Sequence, residues 1–74
     1  MLDKYRINLW WDSEVDVWIA TSEDIRGLVL EGDKLDELMK NVHYAASDLL
    51  ELNHGIFEPV KLDFHAHREE MLAV

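Results

Sequence analysis

Between Lys4 and Trp11 the side chains alternate, with Tyr5, Ile7, Leu9 and Trp11 set between Lys4, Arg6, Asn8 and Trp10. A period of two, rich in β-branched and aromatic residues, predicts a strand over 4–11. Asp12-Ser13-Glu14 is a turn-type cluster, and Val17–Thr21 (VWIAT) predicts a second strand. Strands adjacent in sequence usually pair, so the two are expected to form a hairpin. With Asp12–Asp16 as its loop, Ile7, Leu9 and Trp11 share a face with Val17 and Ile19, and Trp10 and Trp18 fall on the other face. Ser22–Gly27 connects onward, with Gly27 expected to adopt a conformation that other residues resist. Leu28-Val29-Leu30 predicts a short third strand that ends at Gly32.

From Leu35 the apolar spacing changes to three and four. Leu35, Leu38, Met39, Val42, Ala45, Ala46, Leu49 and either Leu50 or Leu52 form one stripe, which predicts an amphipathic helix to about Asn53. Asp33 is the expected N-cap, with Asp36 three residues on. Gly55 suits the position just past the helix end. Pro59 fits a strand start, and Val60, Leu62 and Phe64 alternate with Lys61, Asp63 and His65, so a fourth strand is predicted over 59–65. Residues 66–74 are expected to form a short helix or an arm, with Met71, Leu72 and Val74 docking on this chain or a neighbour. The order is β-β-β-α-β. The expected fold class is α+β, a mostly antiparallel sheet with one long helix on one face.

A chain of 74 residues supports one domain with a thin core. It contains no cysteine, so neither disulfides nor thiolate metal sites can brace it. Oligomerisation is the remaining common support, and a homo-oligomer is expected. No apolar run is long enough to cross a bilayer, and the first residues lack the pattern of a secretory leader. A cytoplasmic location without membrane contact is expected.

Charge narrows the range of partners. The formal net charge is −9, and residues 12–37 hold nine acids against two bases. Such a field repels phosphate backbones, so direct nucleic-acid binding is not expected. It would attract a basic protein, although acid excess also serves solubility alone. His65-Ala66-His67 places two imidazoles on one face of an extended chain, with Asp63 beside them. A metal site needs further ligands, and none points there, so no metal or cofactor is expected. The remaining acids sit in turns and helix caps, and Ser13, Ser22 and Ser47 lack a supporting base motif. No catalytic residues are assigned, and the chain is not expected to be an enzyme. Trp10, Trp11 and Trp18 form a cluster. Trp11 belongs to the core on this pattern. Trp10 and Trp18 serve either a contact surface or, if the helix packs on their face, the core.

The run from Trp18 to Leu38 resembles the signature region of HicB-like proteins, in which a D-[IL]-P-G turn is followed by a short strand and a G-[DE]-[ST] helix start. Asp24, Ile25, Gly27, Gly32, Asp33 and Glu37 match that pattern. Arg26 stands where the family has proline, and Lys34 where it has a hydroxyl residue. Trp11-Asp12 with Glu14, then Val17–Ala20, look more like a small subfamily of stand-alone HicB-like domains.

The resemblance covers about residues 5–52 and implies a truncated RNase H-like domain without nuclease activity. It implies binding to HicA-type toxins, which are small basic ribonucleases with a double-stranded-RNA-binding fold. Full HicB antitoxins add a DNA-binding module, for which residues 1–74 leave no room. The expected function is thus a protein-binding, antitoxin-like domain that neutralises a HicA-type ribonuclease; the alternative is a homo-oligomeric domain without a toxin partner. The expected partner-binding residues are Trp10, Trp18, Glu23, Asp24, Asp36 and Glu37, and the fold-motif residues are Asp24, Gly27, Gly32 and Asp33.

Overall fold

A computed structural model describes residues 2–74. The elements run β1 (Lys4–Asp12), β2 (Val17–Thr21), β3 (Val29–Gly32), α1 (Leu35–His54) and β4 (Lys61–His67). The fold is α+β in the expected order. One sheet carries the strands as β3-β2-β1-β4. β1 pairs antiparallel with β2, and β2 with β3. β4 returns beside β1 in parallel, from Lys4 opposite Lys61 to Trp10 opposite His67. The helix therefore acts as the crossover that a parallel pair requires.

The hairpin register overturns the expected tryptophan placement. The loop is Ser13–Asp16, with Asp16 in the left-handed region at φ 55°, and Asp12 pairs with Val17. That loop is one residue shorter than the turn cluster suggests, and a one-residue slip exchanges the two faces of a strand. Trp18 thus lies opposite Trp11, and Ile19 opposite Trp10. Trp18 joins Tyr5, Ile7, Leu9 and Ala20 beneath the helix and is only 9% exposed. Trp10 and Ile19 share the open face.

Helix α1 buries Leu38, Val42, Ala46 and Leu50. Leu50, not Leu52, completes the stripe; Leu52 is exposed. The helix backbone comes nearest to β2 and β3, and towards β4 it reaches by side chains, the His43 ring lying 5.8 Å from that of Phe64. Asp33 does not cap it. The N-cap is Lys34, in an extended conformation and without a side-chain capping bond; its carbonyl accepts from the Leu38 N–H at 3.0 Å. Asp33 is thus one residue too early for its carboxylate to serve. Asp36 and Glu37 still occupy the first turn, where they favour the positive end of the helix dipole. Gly55 closes the other end at φ 65°, ψ 29°, an orientation that costs a glycine little. The Ile56 N–H then donates to the Leu50 carbonyl at 2.9 Å.

Two strands shift from their expected bounds. A turn in which the Leu28 N–H donates to the Ile25 carbonyl delays the third strand to Val29. β4 begins at Lys61 rather than Pro59 and runs on to His67, because β1 continues to offer it a partner as far as Trp10. Residues 68–74 take no regular structure.

Candidate partner-binding site

The connection between β2 and β3 makes structural use of the signature residues. Ser22 Oγ donates to the Arg6 carbonyl at 2.6 Å and accepts the N–H groups of Asp24 and Ile25, each at 3.1 Å. Asp24 Oδ2 accepts the Arg6 N–H at 2.8 Å. These side chains extend the β1–β2 ladder past Thr21, where backbone pairing stops. Ile25 is fully buried in the core. Gly27 turns the chain at φ 85°, as expected. The helix end grips the same segment: Asn53 Nδ2 donates to the Arg26 carbonyl, and the Arg26 N–H donates to His54 Nε2, both at 3.1 Å. Asp24 is therefore committed to the fold. Together with Glu23 it lies at the end of the sheet where β1 begins.

The opposite end gathers a different set. β1 and β2 meet there in the Ser13–Asp16 loop. β3 runs towards it, with Gly32 opposite Trp18, and α1 starts there. β4 ends there, with His67 opposite Trp10. The topology thus brings Asp12, Glu14 and Asp16 from the hairpin, Glu31 and Asp33 from β3 and its exit, and Asp36 and Glu37 from the helix to one pole. Lys34 and Arg68 are bases at the same end. Beside this pole, on the face without a helix, Trp10 is 41% exposed between Ile19 of β2 and His67 of β4.

Of the expected partner-binding residues, Trp10, Asp36 and Glu37 lie towards this end, Trp10 on the open face and the two acids on the helix across the sheet. Trp18 lies beneath the sheet surface, and Glu23 and Asp24 lie at the far end. Two neighbours escape detection in the sequence. Ile19 is placed beside Trp10 by the register alone. Arg68 stacks its guanidinium 3.9 Å from the Trp11 ring centroid and 5.9 Å from that of Trp18. Trp11 and Trp18 pack edge to face at 5.6 Å, so Arg68 closes the core at the acidic end. No periodic pattern marks such a residue after a strand end.

At the other end of the open face, His65 Nε2 donates to Asp63 Oδ2 at 2.9 Å, and Lys4 Nζ stands 3.5 Å from the same oxygen. The His65 hydrogen bond is the main reason that the Asp63 carboxyl lies below its ordinary pKa; the charges of His65 and Lys4 add to it against some desolvation. A lowered folded value means that Asp63 contributes stability fully above the unfolded value of about 3.9 and loses it as pH falls through the folded value. Asp63→Asn is expected to lower the melting temperature slightly at neutral pH and to converge on the wild type in acid, so that the limb below about pH 4 is flatter; melts over a pH series check this. Among the described residues, no group of three His, Cys, Asp or Glu side chains is placed to hold a metal ion, and no helix is long and apolar enough to cross a membrane.

One helix laid over part of a mixed four-stranded sheet, with the other face open, defines a small single-helix α+β domain. Residues 4–74 match the family described as a domain of unknown function, DUF1902, and the chain belongs to that family. The crystal structure of hypothetical protein TTHA1013 from the extremely thermophilic bacterium Thermus thermophilus is similar. It is 33% identical, with a TM-score of 0.79, over 93% of this chain and 99% of that one. No curated protein matches.

Proposed function

We propose that this chain is a protein-binding domain of the antitoxin-like kind, whose acidic pole receives a small basic partner such as a HicA-type ribonuclease. The observation that carries this reading is the convergence of acids from the hairpin, β3 and the helix beside the exposed Trp10. Charge of one sign steers a basic partner to the pole and sets the register of docking. An aromatic anchor flanked by apolar and polar neighbours supplies the desolvated centre that interfaces use. The HicB-like run from Trp18 to Leu38 supports the same reading. Asp24, Ile25 and Gly27 of that run build the fold, which leaves contact to the pole and to Trp10.

The test is a titration of the purified chain with a purified HicA-type ribonuclease. A complex is expected at low salt, weakening as salt rises. Glu14→Lys, Asp16→Lys and Glu37→Lys together are expected to lower affinity by about a hundredfold, mostly through slower association. These side chains are exposed, and each substitution is expected to cost no more than about 1 kcal/mol, the larger costs falling on the left-handed Asp16 and on Glu37 at the positive helix end. Absence of a complex at low salt, or unchanged binding by the triple variant, would sink the reading.

A further inference from the structure

The free edge of the sheet, the groove beside it and the chain's C-terminal tail fit one another, but not within one chain. β4 is seven residues long, pairs with β1 along its whole length, and among the described residues has nothing on its outer side. It contains neither proline nor bulge, and the charges on it are Lys61 and Asp63, both on the open face. The other edge strand, β3, has four residues. Because the α1 backbone comes nearest to β2 and β3, the helix side of β4 keeps a groove of about 340 Å³, bordered by His43, whose ring lies 5.8 Å from that of Phe64. Leu62 and Phe64 form its floor, Ala46 and Leu50 its wall, and Ile56 and Phe57 its end.

Beyond Arg68 the chain leaves the body. Met71 is 97% exposed and Leu72 81%, with Val74 fully exposed. The radius of gyration is 13.7 Å, against about 11 Å for a compact domain of this length. The tail departs from the acidic end of β4, whereas the groove deepens towards the start of β4. Strand direction thus carries the tail away from its own groove.

We propose that this edge and groove form the interface of a two-fold homodimer, in which each chain's Glu69–Val74 lies in the groove of the other. Antiparallel pairing of two β4 strands about Phe64 sets the two Phe64 rings together on the helix side. On the open side it sets Asp63 opposite His65 of the second copy. The same register runs Met71 and Leu72 of each tail past Phe57 and Ile56 of the other chain. Charge selects this arrangement over a parallel one. Each copy carries −9, and the antiparallel dimer holds the two acidic poles at opposite ends of the paired strands, roughly 20 Å or more apart and beyond the ~8 Å screening length at physiological salt. Trp10 stays uncovered, so the dimer rests on no part of the partner reading and can fail or stand without it.

Sedimentation equilibrium of the full chain tests the inference. The expected mass is twice the 8.7 kDa of the chain. Met71→Asp with Leu72→Asp is expected to raise the dimer Kd by about a hundredfold. Phe57→Asp, on the receiving side, is expected to act in the same direction. All three side chains are exposed in the single chain, so far-UV circular dichroism should show an unchanged fold. A monomer at all concentrations up to submillimolar overturns the proposal, and so does a dimer that both variants leave intact.

Discussion

Trp18→Ala is expected to destabilise the domain by about 3–5 kcal/mol, the range for removing a large aromatic side chain from a core. Trp10→Ala is expected to cost less than about 1 kcal/mol. The two residues are close in sequence and identical in chemistry, but the register sends them to opposite faces. Trp18 loses its edge-to-face packing on Trp11, worth about 0.5–1.5 kcal/mol beyond burial, and opens a cavity beneath the Arg68 stack. A chain of 74 residues has roughly 4–11 kcal/mol to lose, so the Trp18 variant is expected to be largely unfolded under mild denaturant. Urea unfolding followed by circular dichroism gives both values on one scale. A costlier Trp10 variant would mean that the hairpin register is wrong by one residue.

Ile25→Ala is expected to cost about 2–5 kcal/mol although Ile25 lies between strands rather than within one. Its side chain is fully buried, and the segment around it is fastened from two sides. Ser22 and Asp24 hold it to Arg6, and Asn53 and His54 hold it to the helix end. The surrounding structure is thus poorly placed to collapse into the space left behind. Ser22→Ala removes hydrogen bonds from groups that water can still reach, and its expected cost is about 1–2 kcal/mol. Denaturant midpoints compare the two. A smaller loss for Ile25→Ala than for Ser22→Ala would show that hydrogen bonding, not burial, anchors the connection.

The same segment shows how far the residues could be read in advance. Asp24, Ile25 and Gly27 are visible in the sequence as a motif, and Gly27 as a turn glycine. The duty of Asp24, like that of Ser22, depends on Arg6, sixteen or more residues away along the chain. The N-cap illustrates the opposite limit. Asp33 has the preferred chemistry for capping, but the helix starts one residue later than that choice requires.

Local periodicity by itself determined the kinds and order of the elements, because a strand repeats every two residues and a helix every 3.6 whatever surrounds them. It also determined the stripe that the helix buries, while composition alone set the acid excess. Tertiary structure alone decided which tryptophan is core, since that turns on one residue of loop length. It decided which acids share a pole, since residues distant in sequence meet only once strand directions are set. And it decided that β4 has a bare edge beside an open groove, because a helix about 10–12 Å across its side chains covers only part of a four-stranded sheet with strands about 4.8 Å apart.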